Sequence, residues 1–104
     1  MIPVSARVLS VKDYKVIALD MTYGPYIDYE IDTVKYGNGR KAALIWIKKT
    51  TFPFSIRLHS KNNEPIPIDA EETPIVLDGI EVEKLYVTAT AGTGVLYIVL
   101  FYPK

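Results

Sequence analysis

Residues 95–102 read Val-Leu-Tyr-Ile-Val-Leu-Phe-Tyr, eight apolar side chains in succession. Because side chains alternate between the two faces of a strand, such a run is apolar on both faces. A strand with one face in water would alternate between apolar and polar residues instead. We therefore expect this segment to form a strand that is covered on both sides, either by its own fold or by another chain.

The rest of the chain also reads as strands separated by turns. Seven prolines and six glycines recur about every ten residues, the spacing of a sandwich or barrel. Residues 42–47 are apolar throughout and predict a second central strand, whereas residues 26–34 alternate and predict one polar face. Pro65 and Pro67 allow at most an edge strand, because proline cannot donate a backbone hydrogen bond. Further strands are predicted over residues 5–11, 14–23, 54–59, 75–77 and 85–90.

Turn signals complete the predicted architecture. Residues 36–40 (YGNGR) and 91–94 (AGTG) each predict a tight hairpin, and Lys12-Asp13 and Asp78-Gly79 predict further turns. No segment predicts a helix of three or more turns. We predict a single all-β domain over residues 1–104, an antiparallel β-sandwich of jelly-roll or Greek-key type with about eight strands. Its predicted core is Val8, Val16, Ile17, Ile31, Leu44, Trp46, Phe54, Ile56, Leu58, Val76, Leu85, Val87, Leu96, Ile98 and Leu100.

Composition excludes several classes of function. Twelve Lys and Arg balance twelve Asp and Glu, so the formal net charge is zero. Proteins that bind nucleic acid or an anionic membrane surface need a basic surplus, and we expect neither partner. The absence of cysteine excludes a disulfide, a thiolate zinc site and a cysteine nucleophile. The chain has no glutamine and few asparagines, a composition that suggests a hot habitat.

His59 is the only histidine, and it shares a predicted strand face with Ser55 and Arg57. A lone histidine could act as a general base or as a single metal ligand. Both roles need partner groups, and the sequence supplies no second histidine. We therefore expect His59 to have no catalytic role. The glycines of residues 91–94 do not form a phosphate-binding loop, because a strand rather than a helix is predicted to follow them.

Three carboxylates, Asp28, Glu30 and Asp32, occupy alternate positions of one predicted strand. Such positions lie about 6.6 Å apart on one face, so the three form a ladder. A ladder could offer oxygen ligands to a hard cation, or two carboxylates to glycoside hydrolysis. The simpler interpretation is a solvated face whose carboxylates pair with Lys or Arg of the next strand. We favour pairing, and predict no metal, no cofactor and no catalytic residue.

The apolar strands and the tyrosines suggest contacts with other chains. The eight tyrosines could form a sugar-stacking platform, but tyrosine also favours strands and protein interfaces. Arg57 lies in mid-strand beside apolar residues, a position typical of a subunit boundary where the guanidinium pairs with a carboxylate. The residues predicted to form an interface between copies are Arg57, Tyr86, Tyr97, Val99, Phe101 and Tyr102.

Two segments resemble small β-sandwich structural proteins of tailed phages and related viruses. Residues 52–60 (FPFSIRLHS), with Pro65-Ile66 after them, are similar to one segment of these proteins. Residues 85–98 (LYVTATAGTGVLYI) resemble their final hairpin. The resemblance covers the last half of the chain. It implies a capsid-decoration or fibre-base part of a virion, assembled as a trimer alongside other virion proteins, and it brings no catalytic residues.

We therefore predict a non-enzymatic structural module that forms a homo-oligomer, most simply a trimer within a virion. The alternative is a β-sandwich module that binds carbohydrate or a protein partner, which would show an exposed row of tyrosines and a shallow groove. A small-barrel enzyme is a third possibility. It would require His59 or the carboxylate ladder inside a pocket, together with a metal.

Overall fold

The computed structural model describes residues 11–103, and the side chains of all of these except 11, 12, 79 and 80. Two four-stranded antiparallel sheets pack face to face, which confirms the predicted all-β sandwich. The strand predicted over residues 5–11 and the predicted core residue Val8 lie outside the described residues, except for Val11 itself.

The first sheet contains, in spatial order, β1 (Val11–Asp20), β8 (Val95–Pro103), β3 (Ala42–Ile47) and β6 (Ile75–Val82). The second sheet contains β2 (Tyr26–Asp32), β7 (Lys84–Ala89), β4 (Phe54–Leu58) and β5 (Ile66–Ile68). Between residues 11 and 103, the helical segments are one α-helical turn, α1 (Thr33–Tyr36), and two 3₁₀ turns, Met21–Tyr23 and Ala70–Glu72. The prediction of a proline-limited edge strand is confirmed by β5, which lies at the edge of its sheet.

The chain is arranged as one long hairpin that has been rolled up. β4 pairs with β5, β3 with β6, β2 with β7 and β1 with β8, so the loop between β4 and β5 is the apex. This order defines a jelly roll. Among the described strands, only β4 and β5 pair with a neighbour in sequence, and the other connections cross between the sheets.

Several predicted turns are wrong, for two different reasons. Residues 36–40 and 91–94 do not close hairpins, because each carries the chain from one sheet to the other. A turn signal specifies a sharp change of direction, but it does not specify which sheet the next strand joins. Lys12-Asp13 and Asp78-Gly79 lie inside β1 and β6, where the strand pairing shifts register. Such a β-bulge accommodates an extra residue without ending the strand.

The two sheets enclose one apolar core. Central strand β8 contributes Leu96, Ile98 and Leu100, which are fully buried. Seven other predicted core residues join this cluster or pack against it: Ile17, Ile31, Phe54, Ile56, Leu58, Leu85 and Val87. Four predicted core residues lie outside it, on the outer face of the first sheet: Val16, Leu44, Trp46 and Val76. A strand that is apolar on both faces does not reveal which face points inward.

Tyr102 is the last inward-facing residue of β8 and is only 1% exposed. Its hydroxyl donates a hydrogen bond to the carbonyl oxygen of Thr33. The guanidinium carbon of Arg40 lies 5.3 Å from the centroid of the tyrosine ring. Burial raises the pKa of Tyr102 to about 12, from an ordinary value of 10.0.

We expect the protein to lose stability between pH 10 and pH 12. The unfolded Tyr102 ionises first, so the contribution of the buried phenol is complete below pH 10 and is lost as the pH rises through 12. Its size is on the order of 2 kcal/mol. Urea unfolding at pH 8 and pH 12 measures this loss. The variant Tyr102→Phe should lose less stability over the same interval, and equal losses in both proteins would contradict the assignment.

Candidate functional site

The outer face of the second sheet is polar, and we name it the polar face. Its side chains alternate with buried residues such as Ile31, Ile56 and Leu85. The residues of the polar face are Asp28, Glu30 and Asp32 on β2, Lys84, Tyr86 and Thr88 on β7, and Ser55 and Arg57 on β4. The sequence therefore placed the three carboxylates correctly on one side of the sheet.

Asp28 and Arg57 form an ion pair across the polar face, and both side chains are partly buried. Arg57 Nε also donates a hydrogen bond to the carbonyl oxygen of Asn63, at 2.8 Å. The backbone N–H of Asp28 donates to Thr88 Oγ1 at 2.9 Å, where the backbone of β2 adopts a φ of 47°. Arg57 thus pairs with a carboxylate of its own chain, and its hydrogen bond to Asn63 connects β4 to the β4–β5 loop.

Glu30, Lys84 and Tyr86 form a second cluster on the polar face. Lys84 Nζ lies 3.6 Å from Glu30 Oε1, and the Tyr86 hydroxyl donates to the same oxygen at 3.2 Å. The negative charge of Glu30 raises the pKa of Lys84, and burial raises the pKa of Tyr86. Lys84 therefore remains charged and Tyr86 neutral near pH 7, where a general acid or base must exchange its proton.

The third carboxylate, Asp32, caps α1 by accepting hydrogen bonds from the backbone N–H groups of Val34 and Lys35, at 3.1 Å and 3.3 Å. Each member of the predicted ladder thus has a different partner. Within residues 11–103, no group of three His, Cys, Asp or Glu side chains could hold a metal ion. Asp28 and Glu30 therefore pair with basic side chains, as the pairing interpretation expected, whereas Asp32 pairs with backbone N–H groups.

A depression of about 390 Å³ opens at one end of the polar face. Its lining residues are His59, Ser60, Lys61 and Asn62 from the β4–β5 loop, Glu83 just before β7, and Lys84 and Tyr86 on β7. The backbone N–H of His59 donates to the Lys84 carbonyl oxygen at 2.8 Å and joins the two segments. The prediction that His59 shares a strand face with Ser55 and Arg57 is wrong, because β4 ends at Leu58 and His59 follows it with a φ of 72°. The depression could not be seen in the sequence, because its two segments meet only in the folded chain.

The outer face of the first sheet is apolar, and we name it the apolar face. Its large apolar residues are Tyr14 and Val16 on β1, Tyr97, Val99 and Phe101 on β8, Leu44 and Trp46 on β3, and Val76 on β6. The strand register places Ala18 of β1 and Asp78 of β6 on the same face. Tyr14 is 66% exposed, Val16 46% and Tyr97 40%. These three lie on the adjacent strands β1 and β8, so they form one exposed apolar patch beside the other residues of the face.

The interior of the apolar face is a small packed cluster. Leu44, Val99 and Phe101 are buried there, although they point away from the main core. At its margin, the Lys48 ammonium lies 5.6 Å from the ring of Trp46 and 5.4 Å from the ring of Tyr97. Contacts at such distances are favourable cation–π interactions. The face therefore has a buried apolar centre, with the charged side chains of Lys48 and Asp78 beside it.

The residues predicted to form an interface do not lie on one surface. Arg57 and Tyr86 belong to the polar face, on the opposite sheet from the apolar face. Tyr102 is wrong as an interface residue, because its ring lies in the core. The remaining three predicted residues do share the apolar face: Tyr97, Val99 and Phe101.

The exposed tyrosines do not form one row. Tyr14 and Tyr97 lie on the apolar face, whereas Tyr23 follows β1, Tyr29 lies on β2 and Tyr36 ends α1. In the part of the chain that the structure describes, no helix has the length and apolar character needed to cross a membrane. No protein-family model matches this chain, and no curated protein matches it either.

Proposed function

We propose that the chain is a non-enzymatic assembly module whose copies associate through the apolar face. The observation that carries this proposal is the exposed patch of Tyr14, Val16 and Tyr97 on two adjacent strands. Single exposed apolar residues are normal on a monomer, but contiguous ones mark an interaction site. The polar face offers a contrast, since its charged side chains are paired within the chain.

A second copy of the chain is the partner that fits this face best. Four strands about 4.8 Å apart, with residues rising about 3.4 Å each along β8, give a face of roughly 19 by 30 Å. Leu44, Val99 and Phe101 are already buried within the chain, so association would cover the exposed part of this face, at Tyr14, Val16 and Tyr97. The formal net charge of zero leaves little long-range repulsion between copies. The apolar face of a second copy has the same area and the same apolar character as the face that it would cover.

The resemblance to phage structural proteins extends the proposal to a virion, with a trimer as the expected assembly and other virion proteins as further partners. The fold is compatible with this assignment, because jelly rolls occur in viral capsid proteins. Jelly rolls also occur in lectins, so the fold alone does not select a function. What supports the virion is the likeness of residues 52–60 and 85–98 to the phage proteins.

We expect light scattering to give a mass that is a multiple of that of the 104-residue chain, and three times that mass for a trimer. Changing Val16 to lysine places an ammonium group in each contact, where its desolvation costs several kcal/mol. The variant Val16→Lys should therefore associate at least tenfold more weakly. Mass measured over a series of protein concentrations reports both results.

The matched control is Ile27→Lys. Ile27 is 70% exposed on β2, in the second sheet, so this variant gains the same charge away from the apolar face. It should keep the mass of the unchanged protein, and circular dichroism should show the same fold for both variants. A monomer mass for the unchanged protein at high concentration would contradict the proposal. So would an equal loss of association in Ile27→Lys.

A further inference from the structure

Hydrogen bonds within residues 58–63 order the loop that lines the depression on the polar face. The backbone N–H of Ser60 donates to the Leu58 carbonyl at 2.9 Å, and that of Asn63 donates to the Ser60 carbonyl at 3.1 Å. The Asn63 side chain donates to the same Leu58 carbonyl at 2.7 Å, and the N–H of Asn62 donates to Ser60 Oγ at 3.1 Å. A site that is already ordered loses little conformational entropy when it binds a ligand.

His59 adopts an unfavourable backbone conformation at this depression. Its φ is 72°, a region that glycine or asparagine enters more readily than histidine. Such positions cluster at ligand sites. The histidine is exposed and lines the depression. A ligand contact would explain why a larger polar residue occupies this position.

The charges around the depression cancel. Lys61 and Lys84 contribute two positive charges, which Glu83 and the adjacent Glu30 balance. An anion such as phosphate therefore meets no cationic surplus. An apolar ligand fits poorly as well, because the lining consists of ammonium, carboxylate, amide, hydroxyl and imidazole groups, with Tyr86 as its only largely apolar side chain.

From this polar lining and its balanced charges we infer that the depression binds a neutral saccharide unit. Each sugar hydroxyl both donates and accepts hydrogen bonds, and the lining offers both kinds of partner. Lys61 can donate, Glu83 can accept, and the amide of Asn62 can do both. A volume of about 390 Å³ lies at the lower end of the range for small-ligand sites, which suits one sugar residue at a chain end.

This inference goes beyond the proposed assembly and does not depend on it. The polar face and the apolar face belong to different sheets on opposite sides of the sandwich. Copies that associate through the apolar face would therefore leave every depression open to solvent. Several identical sites on one assembly would bind a glycan-coated surface more tightly than a single site can.

The chain carries a unique reporter for each face. His59 is the only histidine and lines the depression, whereas Trp46 is the only tryptophan and lies on the apolar face. We would titrate the full chain with glucose, galactose, mannose and N-acetylglucosamine, and separately with sodium phosphate, while recording imidazole and indole NMR signals. We expect at least one sugar to shift the His59 signals saturably, with a millimolar Kd, and to leave Trp46 unmoved. Phosphate should give no saturable shift.

Two glutamates of the same region provide the matched variants. Glu83→Ala removes an acceptor from the lining and should weaken sugar binding at least tenfold. Glu64→Ala removes the same group from the β4–β5 loop outside the lining, and should bind as the unchanged protein does. The inference is overturned if no sugar moves His59, if phosphate saturates the site, or if the two variants bind equally. Backbone amide spectra establish that both variants are folded, and the mass measurement tests assembly separately.

Discussion

Replacing Ile98 with alanine is expected to lower the free energy of unfolding by about 3 kcal/mol. Ile98 is 0% exposed on the central strand β8, where it lies between Ile17 of β1 and Ile47 of β3. Alanine loses the transfer free energy of the missing carbons and leaves a cavity that the packed neighbours cannot fill. Domains of this size are stable by about 5 to 15 kcal/mol, so this one change removes a large fraction of the total.

The control for this change is the same substitution at an exposed isoleucine. Ile27→Ala should cost less than about 0.5 kcal/mol, because the side chain of Ile27 is mostly in water already. Urea unfolding followed by the fluorescence of Trp46 measures both variants. Similar losses at the two positions would mean that β8 does not occupy the centre of the core.

We expect Gly92→Ala to lower the free energy of unfolding by about 3 kcal/mol. Gly92 has a φ of 123°, which an alanine adopts only with strain. A Cβ atom there would also lie 2.4 Å from Cβ of Phe52, a buried core residue. Forcing an atom into such a site displaces its neighbours and costs about 1 to 3 kcal/mol beyond the backbone strain.

A substitution at Gly94 separates the steric cost of Gly92→Ala from its backbone strain. It has a φ of 106°, but nothing lies within 4 Å of the position that its Cβ would occupy. Gly94→Ala should therefore show the backbone cost alone, about 1 kcal/mol. Urea unfolding of the two variants gives the difference directly. Equal losses would contradict the close approach of Gly92 to Phe52.

The layered architecture could be predicted from the sequence because two strands are apolar on both faces. Residues 95–102 and 42–47 both form central strands of the first sheet, as their composition requires. The same composition does not indicate which side of each strand faces the other sheet. Leu44 and Trp46 were therefore assigned to the wrong side, since alternation carries no information where both alternating sets are apolar.

Strand pairing could not be predicted, because it is decided by contacts far apart in the chain. The glycine-rich segments 36–40 and 91–94 do change the direction of the chain, as their composition indicates. The strand that follows each of them joins the opposite sheet. Local turn chemistry is compatible with either outcome, and the choice depends on the whole sandwich.

The candidate site was only partly visible in the sequence. The spacing of Asp28, Glu30 and Asp32 was enough to predict a shared face and basic partners for its carboxylates, and ion pairs hold the first two. The depression beside His59 had no such signal. It combines a loop at the apex of the rolled hairpin with Glu83 and Lys84, and no periodicity connects these segments.

The rolled hairpin has a kinetic consequence. The loop closed by β4 and β5 is short, whereas pairing β1 with β8 joins Val11 to Pro103 across nearly the whole described chain. The entropy lost on closing a loop grows with its length, and chains dominated by distant contacts fold in milliseconds to seconds. Folding is therefore expected to proceed outward from residues 60–64, one strand pair at a time. A circularly permuted chain opened in that loop would reverse the order, making β1 and β8 the most local pair.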